Sequence, residues 1–318
     1  MRTRVAPVPL GCCPDAPRCQ LCNPPPAVPS LELIRALVEH YDSKAGSSRP
    51  YFIGGPPPTD RQVGACGGRE VAIRVRPDLL SKARAEALAG QGVVRVELDA
   101  LTFSDRVLKE CGRRYSSDYI RSMARGLQAL GLEVGLVLAP GLPNTDHAAA
   151  VSDAREAVGL ASVVRLHPLL VLSEARLREA HMDGRYEPLT LGEAITTCRA
   201  MMDVLEGNGV EVIRVGVQGT HDGVGRVVAG PAHGALRELV ESRRTLDVLR
   251  ERLRPHGPGA SATLRCARCD EGRVRGLFNQ HIRTLRSEFG LTRVEVVGEP
   301  SWPRGALEVE VLYANNGR

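Results

Sequence analysis

The first two-thirds of the chain shows two patterns of apolar and polar residues. Short runs of β-branched and other apolar residues, such as 71–75 and 134–139, predict buried strands. Between them, apolar residues recur at helical spacing, as in 118–130 and 146–158. Repeated strand–helix units of this length predict an α/β fold built on a parallel sheet.

Six or seven such units fit either a partial barrel or a doubly wound sheet. The remaining predicted strands are 4–10, 51–53, 93–98, 163–172 and 210–217, and the remaining helices begin at Ser30 and cover 79–88, 173–182 and 191–208. Only 56–70 separates the second and third strands, so the second helix is expected to be reduced or missing. In both architectures the active site lies at the carboxyl ends of the strands. This rule predicts that the following segments meet at the carboxyl ends of the strands: 11–22, 54–55, 76–78, 99–103, 140–141 and Gln218.

The last third of the chain has a different pattern. An Arg-rich helix is predicted over 233–253 and a linker over 256–259. A strand at 263–266, a helix at 276–289 and a pair of strands at 293–297 and 306–312 follow. We therefore predict two domains, a main one at 1–232 and a small α+β extension at 233–318.

Composition limits the class of protein. The 318 residues are 43% apolar and 25% charged, which is typical of a globular protein. No apolar run reaches membrane-spanning length and no signal peptide precedes the first strand, so we expect a cytoplasmic protein without membrane contact. The net charge is +5, and 235–293 holds 13 Arg against 7 acidic residues. Such a basic stretch suits phosphate backbones, although it is also typical of an ordinary solvated helix face.

The nine cysteines indicate metal binding better than disulfide bonds. An odd number in a long chain without a secretion signal argues against a disulfide framework. The loop after the first strand contains Cys12, Cys13, Cys19 and Cys22. Three thiolates there can bind three irons of a 4Fe–4S cluster and leave the fourth iron open. Zinc needs four ligands for a closed site, and adjacent cysteines seldom reach one tetrahedral ion, so the pattern favours iron–sulfur over zinc.

The other cysteines carry weaker signals. Cys266 and Cys269 form a CxxC pair that needs two further ligands to make a metal site, and His256 and His281 are near in sequence. Three isolated cysteines are expected to be structural: Cys66, Cys111 and Cys198. His167 is expected to be a core or rim histidine. His221 and Asp222 follow the last strand and are candidate substrate contacts.

A strand followed by the loop Cys13-x5-Cys19-x2-Cys22 resembles the radical S-adenosylmethionine superfamily, in which the first gap is usually three residues. Further segments narrow the resemblance to bacterial proteins related to the catalytic subunit of the elongator complex. These segments are 76–78, 95–98, 103–113, 133–143, 165–172, 186–189, 212–218 and 229–233. The resemblance covers most of 4–245 and implies a partial TIM-type (β/α)6 barrel with a small C-terminal α+β extension.

The resemblance also implies cofactors and their contacts. Cys13, Cys19 and Cys22 are expected to hold the 4Fe–4S cluster, and S-adenosylmethionine chelates its open iron. The residues expected at the cofactor are Leu21, Gly54, Gly55, Glu97 and Gln218. Leu21 stands where the family has an aromatic residue, and glycines let the backbone approach the methionine end closely. Pro56 stands where the family often has a hydroxyl or acidic residue, and proline offers no N–H.

The implied function is reductive cleavage of S-adenosylmethionine to a 5′-deoxyadenosyl radical in RNA modification, at a tRNA uridine. The expected partners are RNA and an electron donor such as flavodoxin or ferredoxin. The stretch after Gly234 leaves no room for the acetyltransferase domain of the full-length subunit, so we expect acetyl transfer to be absent or supplied by another protein. Two alternatives stay open. One is a radical enzyme acting on a small molecule or peptide, and the other is a non-catalytic iron–sulfur or zinc protein that binds RNA.

Overall fold

A computed structural model describes residues 4–10, 29–45, 48–216 and 226–313. The chain divides into two units, 1–234 and 235–318. The division into domains at 1–232 and 233–318 stays a prediction.

The first unit alternates strands and helices. Its strands are β1 (Arg4–Pro9), β2 (Ser48–Ile53), β3 (Val71–Val75), β4 (Val93–Leu101), β5 (Glu133–Leu138), β6 (Val163–Leu166), β7 (Val171–Leu172), β8 (Glu211–Val215) and β9 (Val227–Ala229). Its helices are α1 (Leu31–Ala45), α2 (Asp60–Gly64), α3 (Lys82–Gly90), α4 (Asp105–Glu110), α5 (Ser117–Ala129), α6 (His147–Ala157), α7 (Leu177–Met182) and α8 (Leu191–Gly207).

Seven strands form one parallel sheet in the order β1-β2-β3-β4-β5-β6-β8. Neighbours in the chain are neighbours in the sheet, so the strand order does not reverse as it does in a doubly wound sheet. The sheet curls into a partial TIM-type barrel, which confirms the predicted fold class. β7 and β9 form a separate antiparallel pair.

The two faces of this sheet differ in chemistry because residues along a strand alternate between them. The outer face is apolar and fully buried, as Phe52, Ile73, Leu98 and Leu136 show. Helices α1, α3, α5, α6 and α8 pack on the strands. The concave face carries buried polar and charged side chains instead, and it is described with the site below.

The structure corrects two boundaries in the first unit. The predicted single strand 163–172 is wrong, since β6 ends at Leu166 and β7 pairs with β9. Pro168, which cannot donate to a ladder, lies between them. The helix after β2 is reduced as expected: α2 has five residues and begins with a capping box between Thr59 and Gln62. α4 and β9 were not predicted.

The second unit is a three-stranded sheet with helices. It contains α9 (Leu236–Leu253), β10 (Ala260–Ala267), α10 (Glu271–Arg275), α11 (Gln280–Phe289), β11 (Arg293–Glu299) and β12 (Leu307–Tyr313). β10 is central, parallel to β11 and antiparallel to β12. The two strands predicted at 293–297 and 306–312 are present as β11 and β12. The helix predicted over 276–289 is present as α11, but it begins only at Gln280, after a left-handed Asn279.

Among the described residues, no helix is both long enough and apolar enough to span a bilayer.

Gly135 provides a test of the concave face. A Cβ on this residue of β5 would lie 2.6 Å from Cγ of Glu97. We expect Gly135→Ala to lower the free energy of unfolding by about 1–3 kcal/mol, because overpacking forces a buried side chain to move. The matched control is Gly126→Ala in α5, where a Cβ meets nothing within 4 Å. The control should raise the free energy of unfolding by about 0.5–1 kcal/mol. Urea denaturation measures both, and a Gly135→Ala protein as stable as wild type would contradict the packing described.

Candidate active site

The loops at the carboxyl edge of the sheet are joined by backbone hydrogen bonds. Leu10, the residue before the cysteine segment, donates its N–H to the carbonyl of Ile53 at 2.7 Å. The carbonyl of Gly55 accepts from the N–H of Arg76 at 3.2 Å. The described chain after β1 therefore ends, at Leu10, at the same edge of the sheet as the Gly54–Gly55 turn.

Several predicted site residues lie outside the described residues. They are Cys12, Cys13, Cys19, Leu21, Cys22, Gln218, His221 and Asp222. Gly54 and Gly55 are described and partly buried. Neither is among the described residues with positive φ. Close approach of the backbone, not an unusual backbone conformation, is therefore the reason to expect glycine here.

Glu97 lies on the concave face, and its carboxylate accepts three hydrogen bonds. Its carboxylate accepts from Tyr51 Oη at 2.6 Å and from Nε and Nη2 of Arg165 at 2.5 and 3.1 Å. The side chains of Glu97 and Arg165 are 1% and 9% exposed. The Arg165 guanidinium also lies over the Tyr51 ring, 4.6 Å from its centroid. Burial and the charge of Glu97 raise the pKa of Tyr51 well above its ordinary value, so the hydroxyl stays protonated and donates.

A second polar group lies nearer the carboxyl ends of the strands. Arg74 Nε donates to Asp99 Oδ1 at 2.6 Å, and Arg74 Nη1 lies 3.4 Å from His167 Nδ1. Tyr115 donates to the backbone carbonyl of Asp99 at 2.7 Å. Arg74 lies on β3 and Asp99 on β4, whereas His167 follows β6 and Tyr115 precedes α5. The register places Arg74 beside Glu97. The concave face is therefore lined by two connected ion-pair groups instead of by an apolar core.

The protonation state of His167 follows from its neighbours. Burial and the positive charges of Arg74, Arg165 and Arg214 lower its pKa well below the ordinary value, so the ring is neutral at pH 7. Arginine only donates, so Nδ1 is the acceptor and the proton resides on Nε2. Nε2 is buried and has no hydrogen-bond partner in the described part of the chain. A buried donor without an acceptor is costly, which is typical of a position that a ligand completes.

Sequence reasoning missed most of this face. It singled out Glu97 and the 99–103 segment but not Tyr51, Arg74 or Arg165, and it assigned His167 to the core or rim. A signal was available, because charged residues in strands otherwise predicted to be buried recur at every second position. Alternation of that kind indicates a polar concave face rather than an apolar one.

The isolated cysteines are buried, as the structural interpretation expects. Burial raises the pKa of Cys66 to about 11 and that of Cys198 to about 12, so both stay thiols. Cys266 is also buried, whereas Cys269 is exposed. Within the described ranges, no three or more His, Cys, Asp and Glu side chains are grouped to hold a metal ion.

The arginines of α9 are largely compensated by acidic neighbours. Arg250 forms a bidentate pair with Glu288 at 2.6 and 2.8 Å. Arg243 lies 3.8 Å from Asp247 and Arg244 lies 4.0 Å from Glu241. The excess of positive charge over 235–293 is therefore smaller at the surface of α9 than the sequence count suggests.

Comparison with known families identifies the class of protein. The model of the radical SAM superfamily matches residues 18–155, and that of the radical SAM C-terminal domain matches residues 161–245. The chain belongs to the radical SAM superfamily and is a radical SAM enzyme. This confirms the predicted superfamily.

Individual relatives agree with the elongator resemblance. A tRNA uridine(34) acetyltransferase from Methanocaldococcus jannaschii is 27% identical over 129 residues, which cover 39% of this chain and 24% of that protein. The chain thus matches about a quarter of that relative's length. The archaeal Methanocaldococcus infernus Elp3 has the same fold, with a TM-score of 0.59 and 20% identity over 81% of this chain and 67% of that one. HydG, a maturase of the FeFe-hydrogenase, gives a TM-score of 0.53 and 14% identity over 75% of this chain and 55% of that one.

Membership of this superfamily implies S-adenosylmethionine and a 4Fe–4S cluster as cofactors. The described residues fit a polar organic cofactor at the carboxyl edge. The Nε2–H of His167 offers a buried donor. The approach of the cofactor to Gly54 and Gly55 stays a prediction. Three donors already occupy the Glu97 carboxylate, which has about four acceptor positions in all. Its direct contact with the cofactor stays a prediction.

The Glu97–Arg165 pair can be tested by stability. Glu97→Gln leaves the Arg165 guanidinium buried without a counter-charge, and we expect a loss of about 3–5 kcal/mol in the free energy of unfolding. The matched control is Glu133→Gln, which breaks a similar bidentate pair with Arg95 at the sheet margin, where Glu133 is 33% exposed. An exposed pair contributes at most about 1 kcal/mol. Chemical denaturation of the two variants should separate them clearly, and equal losses would contradict the burial described.

Proposed function

We propose that this chain is a radical SAM enzyme that modifies RNA, with a tRNA uridine as the target. The observation that carries the proposal is the partial identity to a tRNA uridine(34) acetyltransferase, together with an Elp3-like fold over most of the chain. When bound, the reduced cluster and S-adenosylmethionine supply a 5′-deoxyadenosyl radical. An electron donor such as flavodoxin or ferredoxin delivers the electron.

The residues of this chain have distinct tasks in the proposal. Cys13, Cys19 and Cys22 hold the cluster in the segment that follows β1. Gly54 and Gly55 let the backbone approach the methionine end of the cofactor. Leu21 packs against adenine and Gln218 makes a polar contact.

The ion pairs of the concave face hold its side chains in fixed positions next to the proposed site. The pairs Glu97–Arg165 and Arg74–Asp99 fix the side chains that line it, so few of them need to reorganise when ligands bind. His167 donates its Nε2–H to an acceptor of the bound molecules. A face closed to bulk water also protects a reactive radical from side reactions.

The test is made with the full chain after anaerobic reconstitution with iron and sulfide. The reduced protein is incubated with S-adenosylmethionine and either intact tRNA or the same tRNA digested to nucleosides. We expect 5′-deoxyadenosine in both samples, a several-fold higher yield with intact tRNA, and a new modified nucleoside in the tRNA hydrolysate. Mass spectrometry measures both products.

Two results would contradict the proposal in different ways. Cleavage that intact tRNA does not stimulate favours a small molecule or peptide as substrate. A protein that carries the cluster but forms no 5′-deoxyadenosine is a non-catalytic iron–sulfur protein, which the proline at position 56 would then explain. In either case, tight RNA binding with a steep salt dependence indicates that the partner is RNA and not a small molecule or peptide.

A further inference from the structure

The second unit presents two large apolar side chains to solvent at one tip. Leu277 and Phe278 are 64% and 82% exposed, and Phe278 is the most exposed large apolar residue in the described part of the chain. They lie in the short turn between α10 and α11. We call residues 276–279 the tip.

The backbone of the tip is held in an unusual conformation. Phe278 has φ 50° and ψ 37°, and Asn279 has φ 60° and ψ 28°. Asparagine tolerates the left-handed region, but phenylalanine rarely adopts it. Strain of this kind persists only where the surrounding structure enforces it, and it is a reason to look for a function.

Three contacts enforce this conformation. Arg283 Nη1 donates to the carbonyl of Phe278 at 2.6 Å, and the N–H of Asn279 donates to the carbonyl of Gly276 at 3.1 Å. Gly276 has φ 67° and packs on the buried ring of His281, which a Cβ would approach to 2.6 Å. The tip is therefore preorganised, and Phe278 is presented to solvent without an apolar neighbour that covers it.

The charge around the tip favours one kind of partner. The segment 272–287 contains four arginines, of which Arg273 and Arg275 pair with Glu238 and Glu271. Arg283 and Arg286 are exposed, and their guanidinium groups donate to the backbone carbonyls of Phe278 and Thr292 instead of to carboxylates. An exposed aromatic ring among arginines is the arrangement that stacks on a base while its surroundings attract phosphates.

The small apolar surface of Leu277 and Phe278 also favours a single RNA base over a protein as the partner. A stable protein interface buries roughly 1,200–2,000 Å² in total, which two side chains cannot supply. One aromatic ring is sufficient to stack on a single base. We propose that Phe278 is a stacking contact for an unpaired base of RNA, with the exposed Arg283 and Arg286 of α11 facing the RNA backbone; this inference rests on the proposed function.

The test measures the affinity of the reconstituted full chain for tRNA and for a single-stranded oligouridylate by fluorescence anisotropy. Phe278→Leu keeps apolar bulk but removes the ring, and we expect it to weaken binding by about 5–100-fold, the range of one lost base stack. Phe278→Trp keeps a stacking surface and should bind within about threefold of wild type. The matched control is Met182→Leu on α7, which is 67% exposed in the first unit and should leave affinity unchanged.

Two further readouts separate stacking from other roles. The dependence of affinity on salt should be the same in Phe278→Leu and wild type, because the ring contacts no phosphate. Phe278→Gly relieves the left-handed backbone, so its melting temperature should equal or exceed that of wild type while its affinity falls.

The outcomes distinguish this inference from the proposed function. If wild type binds RNA and Phe278→Leu binds it equally well, the stacking contact is wrong and the proposed function stands. If Phe278→Leu retains affinity and Phe278→Trp loses it, the tip is a shape-specific apolar contact and the inference is also wrong. If wild type binds neither RNA, the proposed function falls and this inference with it.

Discussion

The buried ion pair between Glu97 and Arg165 is the interaction on which the rest of the concave face depends. A carboxylate and a guanidinium removed from water are tolerable only when each is satisfied by the other and by further hydrogen bonds. Here the Tyr51 hydroxyl completes the carboxylate, and the Tyr51 ring covers the guanidinium. β5 lies between the strand of Glu97 and the strand of Arg165. Its residue beside Glu97 must be small, and that residue is Gly135.

This constraint explains why the barrel has a polar interior and an apolar exterior. The helices bury the outer face, and that burial supplies most of the driving force for folding. The concave face has ion pairs in place of apolar packing. Within the described part of the chain, the Nε2–H of His167 has no acceptor. Such an interior suits an enzyme that must position polar cofactors and exclude water, because its dipoles are already oriented when the ligands arrive.

The fold could be predicted from the sequence because parallel strands buried on their outer face give clear apolar runs. Boundaries failed where a local constraint overrode periodicity. Proline at position 168 ended β6 early, and the strained backbone at Phe278 delayed α11. The superfamily was predictable from the three clustered cysteines that follow the first strand, together with the further segments that resemble the family. The partners within the concave face were not, because the pairing of Glu97 with Arg165 joins strands 68 residues apart in sequence. The spacing of residues along a strand predicts which face of the sheet each one lies on. It does not predict which charged residues on different strands form ion pairs.

We propose that Cys13, Cys19 and Cys22 hold a redox cluster with one iron open to S-adenosylmethionine. Electron paramagnetic resonance of the anaerobically reconstituted, dithionite-reduced protein tests it most directly, with Cys13→Ala and Cys12→Ala measured in parallel. We expect about four irons per chain and a 4Fe–4S signal in wild type and Cys12→Ala, with the signal lost in Cys13→Ala. Added S-adenosylmethionine should change the wild-type spectrum because it ligates the open iron. Zinc as the bound metal, or a spectrum that saturating S-adenosylmethionine leaves unchanged, would contradict the account.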